Sequence, residues 1–71
     1  MIERSFFADQ IVIRDTIMKA RKHNFWLHRR VAGPFYAMRE RVMAGRSLTP
    51  KQIKWVNDIR EQLGLDRHLF A

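Results

Sequence analysis

Leu48 to Ile53 reads Leu-Thr-Pro-Lys-Gln-Ile, and no other stretch constrains the fold of this chain as tightly. Thr49 is placed to cap a helix, Pro50 suits the first helical position because its missing N–H would be unpaired there, and Gln52 can reach back to the Thr49 amide. Leu48 and Ile53 add a hydrophobic staple across the cap. Downstream, Gly64 can adopt the left-handed conformation after Leu63, letting Leu65 fold back toward Ile59. A helix bounded at both ends therefore occupies about residues 50–63. Ile53, Val56, Ile59 or Arg60, and Leu63 form its inward row, with Trp55 beside it.

Helical spacing recurs upstream. From Ser5 to Lys22, Phe6, Ile13 and Ile17 form one row and Phe7, Ile11 and Met18 an adjacent one, together a wide apolar stripe. The β-branched run Gln10–Arg14 is a strand alternative, disfavoured because no Asn-Gly or Asp-Gly hairpin signal supplies a partner. Residues 23–33 are ambiguous. Asn24 either ends the first helix or caps a short one carrying Phe25, Trp26, Leu27 and Val31, and Gly33-Pro34 is expected to break it. Pro34 then starts a helix to about Ala44, with Phe35, Met38 and Val42 inward, Arg39–Arg41 facing solvent or a partner, and Gly45 as the stop. The expected fold is a single all-α domain over 1–71 with three main helices, or four if 24–32 is separate. The tail Asp66–Ala71 folds back or docks on a partner, although such termini are usually frayed.

A chain of 71 residues buries only about 60% of its unfolded surface, so its core is small. It has no cysteine, which excludes disulfides and thiolate metal sites and agrees with a reducing cytosol. No run approaches a membrane span, and the acidic residues Glu3 and Asp9 do not suit a signal peptide. The net charge of +7 is regional: residues 19–54 carry ten Lys or Arg against Glu40 alone. An acidic partner is implied, nucleic acid or protein, with a solvated basic face as the bland alternative.

Catalytic chemistry is not expected. His23 and His28 are five apart, about 140° around a helix, so they do not share a face as metal ligands would. Together with His68 they read as partly exposed additions to a basic surface. Asp58 and Glu61 form no acid/base motif, with Asp58 instead placed to pair with Lys54, and the three glycines are too dispersed to cradle phosphate. No metal or cofactor is expected.

Binding is the better reading. Residues 19–30, Lys-Ala-Arg-Lys-His-Asn-Phe-Trp-Leu-His-Arg-Arg, interleave cations with Phe25 and Trp26, the composition of single-strand binders in which cations track phosphates and rings stack on bases. In a chain short of core, both rings are expected inside. Arg21, Lys22, Arg29 and Arg30 remain candidate phosphate contacts in either case. A helix-turn-helix across Gly45–Thr49 would present Lys51, Lys54 and Asn57 outward to phosphates or base edges. A second class is protein recognition, in which four Met, two Trp and abundant Arg modulate an acidic host enzyme. Trp26, Trp55 and Phe70 are then the candidate partner contacts, and two copies could pair through Trp26, Phe35 or the tail. A membrane-surface helix at 19–32 is a third reading.

The run Gly45–Gly64 resembles a short helical module of phage-encoded replication and helicase-associated proteins in Leu48, Thr49, Lys51, Gln52, Trp55 and Ile59. It spans under a third of the chain. The resemblance implies a phage or mobile-element context, hence a bacterial host cytosol, and nucleic-acid transactions rather than an activity.

Overall fold

A computed structural model describes residues 6–71. Three helices make up the fold: α1 (Phe6–His23), α2 (Phe25–Met43) and α3 (Pro50–Gln62). No strand occurs among the described residues, and the β-branched run at 10–14 lies within α1.

α1 and α2 lie side by side and meet at a one-residue corner. The Asn24 N–H donates to Ala20 O (2.7 Å), closing α1, while the Asn24 side chain accepts from Leu27 N (3.1 Å), capping α2. The expected break at Gly33-Pro34 does not occur: Pro34 sits inside α2, and the segments expected on either side of it are one helix of 19 residues. The packing explains why. Leu27, Val31, Phe35, Met38 and Val42 are all buried and continue at spacings of four and three straight through the Gly-Pro step. One unbroken apolar face against α1 outweighs the single ladder bond that proline removes.

α1 buries less than its wide stripe promised. Ile13, Ile17 and Ala20 are inside, but Phe7, Ile11 and Met18 are exposed. A three-helix globule of this size covers one side of α1 only.

α3 matches the sequence reading closely. Thr49 Oγ1 accepts from Gln52 N (3.2 Å) and Gln52 Oε1 accepts from Thr49 N (2.9 Å), completing the capping box, with Leu48 buried beneath it. The stops of α2 and α3 are both Schellman turns. Leu65 N donates to Arg60 O (2.8 Å) around Gly64 (φ 75°), and Arg46 N donates to Arg41 O (3.1 Å) around Gly45 (φ 80°). A side chain at either positive φ would be strained, which makes these the two positions where glycine is conformationally required. Trp55 leans on buried Phe35 edge-to-face (centroids 5.0 Å apart) and ties α3 to α2.

The tail is not frayed. Asn57, expected to point outward from α3, is buried and holds the tail backbone: its Nδ2 donates to His68 O (3.1 Å) and its Oδ1 accepts from His68 N (2.7 Å). Asp9 of α1, only 3% exposed, takes the other end, with His68 Nε2 at 2.9 Å from Oδ1 and Ala71 N donating to Oδ2 at 3.0 Å. His68 is thus an internal partner of a buried carboxylate rather than an added surface charge. Arg60 closes the junction, donating from Nη1 to Thr16 Oγ1 (3.0 Å) and from Nε to Asp66 O (2.7 Å). Its burial lowers the guanidinium pKa from the ordinary arginine value, opposed by Asp15 and Asp66. Asn57→Ala should cost about 2–3 kcal/mol, because it strands a buried tail N–H and C=O. Amide hydrogen exchange at His68 checks this, with protection expected to collapse there before it does in α1.

Candidate nucleic-acid interface

The register of α2 decides where its aromatic residues point. With Leu27 and Val31 facing α1, Phe25 and Trp26 in the first turn fall on the outer side. They are 58% and 71% exposed, against the expectation that a small core would claim them. Their rings meet edge-to-face with centroids 6.1 Å apart, and the Arg29 guanidinium lies 5.5 Å from the Trp26 ring centroid. A cation at that distance is attracted by the face of the indole. Arg21, Lys22 and His23 end α1 just before the corner, and Arg29 and Arg30 follow one turn into α2, all five exposed apart from the contact Arg29 makes with Trp26. The single-residue linker brings the end of one basic helix and the start of another to one corner, around two open rings.

Lys51 and Lys54 are placed elsewhere. α3 starts after the far end of α2, about 27 Å along that helix from Phe25 at 1.5 Å per residue. It returns to the corner only with Gln62 and Leu63, which line an open groove of about 310 Å³ together with Lys19, His23 and Asn24. Lys54 is also paired, its Nζ 2.7 Å from Asp58. The hydrogen bond from Lys54 is the main reason the Asp58 carboxyl titrates below the usual carboxylate range; slight burial opposes it and Arg67 adds to it. Of the six cations singled out in the sequence, four cluster with the aromatic residues and two do not.

Among the partner-contact candidates, Trp26 is open and Trp55 is 38% exposed, while Phe70 of the tail is buried in the core cluster and Phe35 is fully enclosed. Phe35 presents no exposed surface to a second copy. Of Arg39–Arg41, expected to face outward together, only Glu40 is fully exposed; Arg41 donates from Nε to Ser47 O (2.7 Å) and Arg39 is half-buried. Among the described residues, no group of three or more His, Asp or Glu could hold a metal ion, and no helix is long and apolar enough to cross a membrane. Asp9, Asn57 and His68 are the polar residues whose roles the sequence did not disclose. A buried position for Asn57 is legible only as its i+4 spacing from Ile53.

Fold and surface together define a small basic all-α protein of three helices with a cationic, aromatic corner. No protein family, characterised protein or solved structure matches the chain.

Proposed function

We propose that the protein binds nucleic acid through the α1–α2 corner, as an accessory factor without chemistry of its own. The observation that carries this reading is the exposure of Trp26 and Phe25 among Arg21, Lys22, Arg29 and Arg30. Cations on a surface are common, but two large adjacent rings left in water by a chain short of core are not what packing favours. Rings offer base-sized apolar faces while the cations around them neutralise phosphates. The resemblance of residues 45–64 to a module of phage replication proteins supports the same class of partner.

The test is a titration of labelled random oligonucleotide with salt. Four phosphate contacts predict a slope of log K against log salt of about −3 on a single strand. Arg29→Gln with Arg30→Gln should flatten the slope by about 1.4. Trp26→Ala should cost about 1–3 kcal/mol of affinity with little change in slope, since stacking releases no counterion. Absence of binding even at low salt would exclude this function.

A second reading, recognition and modulation of a host protein, is supported by the exposed row Phe7, Ile11 and Met18 on α1, of which Phe7 and Ile11 lie ten or more residues before Arg21. Capture of a partner from bacterial lysate that survives nuclease treatment and is lost in Ile11→Glu favours it. Capture abolished by nuclease counts against it.

A further inference from the structure

Gly33 is exposed on α2 and packs against nothing. It lies mid-helix, where glycine is disfavoured relative to alanine because its backbone has more freedom to lose. Its φ is not positive, and a Cβ built on it would meet nothing within 4 Å. Packing does not require the missing side chain, although the next residue, Pro34, favours its absence, because a proline ring crowds a Cβ on a preceding residue held in a helix. Its effect is on the outside, where it leaves a bare strip of helix surface.

What flanks that strip gives it a use. Around α2, at about 100° per residue, Gly33 lies roughly 20° from Trp26, with Arg29 and Tyr36 roughly 60° and 80° from Trp26 in the same sense. Tyr36, 46% exposed, is a second open ring, ten residues or about 15 Å beyond Trp26. Arg29 and Arg30 lie between the first ring and the strip. No acidic residue occurs in the sequence between Asp15 and Glu40, and Glu40 stands one turn past Tyr36.

We infer that a single-stranded nucleic acid runs along the outer face of α2, stacking bases on Trp26 and Tyr36 and passing its sugar-phosphate backbone over Gly33. This rests on the nucleic-acid reading above and adds to it a strandedness, a path and a second stacking residue. A duplex keeps its base faces stacked on one another and has none to offer the two rings, so the ligand is a single strand. At a stacked rise of about 3.4 Å per nucleotide, the distance between the rings corresponds to four or five nucleotides. Arg29 and Arg30 meet phosphates ahead of the strip, and Glu40 repels them beyond Tyr36, so the track ends there.

The test uses the full chain and fluorescence anisotropy at low salt, with labelled oligothymidylate, oligouridylate and a DNA duplex of equal length. The wild-type protein should prefer both single strands to the duplex. Tyr36→Leu should lower single-strand affinity by about 5- to 150-fold, the effect of losing one stacked base. Gly33→Gln, made together with Pro34→Ala so that no proline ring crowds the new side chain, should leave the helix intact and still weaken single-strand binding relative to Pro34→Ala alone, a loss that cannot come from unfolding if the circular dichroism of the two is the same. Equal affinity for duplex and single strands overturns the inference. So does wild-type affinity in Tyr36→Leu, with Gly33→Gln plus Pro34→Ala binding as tightly as Pro34→Ala alone, while Trp26→Ala binds weakly, a result that would leave the corner itself intact. No binding of any probe by the wild-type protein removes both readings.

Discussion

Phe70→Ala is expected to destabilise the protein by about 3–5 kcal/mol, the range for emptying a buried Phe site. Phe70 is the second residue from the C-terminus, yet it is only 5% exposed and belongs to the same apolar cluster as Ile13, Val56 and Ile59. Its ring meets the His68 imidazole edge-to-face with centroids 4.6 Å apart, and His68 is in turn held by Asp9 and Asn57. Removing the ring therefore empties a core site and loosens the strap that joins α1 to α3. At about 0.05–0.15 kcal/mol per residue, a 71-residue domain holds roughly 4–11 kcal/mol, so the loss takes a large share of the stability available. Urea unfolding followed by circular dichroism should show a midpoint far below that of the wild-type chain. An unchanged midpoint would mean that the tail is dispensable.

The second large effect has the opposite sign. Pro34→Ala should stabilise the protein by about 1–3 kcal/mol, because an interior proline costs up to about 3 kcal/mol relative to alanine in a helix. Pro34 is exposed, so little packing is lost when its ring is removed, and alanine restores an N–H that can bond to the Arg30 carbonyl. At about 4–8 °C per kcal/mol for a small domain, the melting temperature should rise measurably. A fall would show that the proline orders α2 through the unfolded chain or through a bend that α1 requires. Gly33 and Pro34 are adjacent and exposed, but they point about 100° apart, so only Gly33 lies on the face of α2 proposed to carry a strand of nucleic acid.

How much of this was legible in the sequence varies with the element. α3 was legible almost to the residue, since its start and stop depend on local chemistry: Thr49, Pro50 and Gln52 at one end, Leu63, Gly64 and Leu65 at the other. The basic middle of the chain was legible as composition, but its grouping was not, because Lys51 and Lys54 are separated from Arg21, Lys22, Arg29 and Arg30 only by the path the helices take.

α2 was misread at Gly33-Pro34, where local rules say stop. A continuous row from Leu27 to Val42 was present in the sequence, but it counts as evidence only once α1 is known to lie along it. The expectation that Phe25 and Trp26 are buried came from the shortage of core, and it fails because the register of the full-length helix, set by Leu27 to Val42, turns both rings outward. Asp9, Asn57 and His68 show the same division over longer distances. They are spread over 60 residues, and no periodicity relates a carboxylate in the first turn of α1 to a backbone amide at the C-terminus. By itself the sequence determined the all-α class, both ends of α3, the two glycine stops and the excess of positive charge, because each depends on neighbours within a few residues or on composition. Only the tertiary structure decided the register of α2, the exposure of its aromatic residues and the docking of the tail, because each is set by which surfaces the packing of α1 against α2 and α3 leaves to be filled.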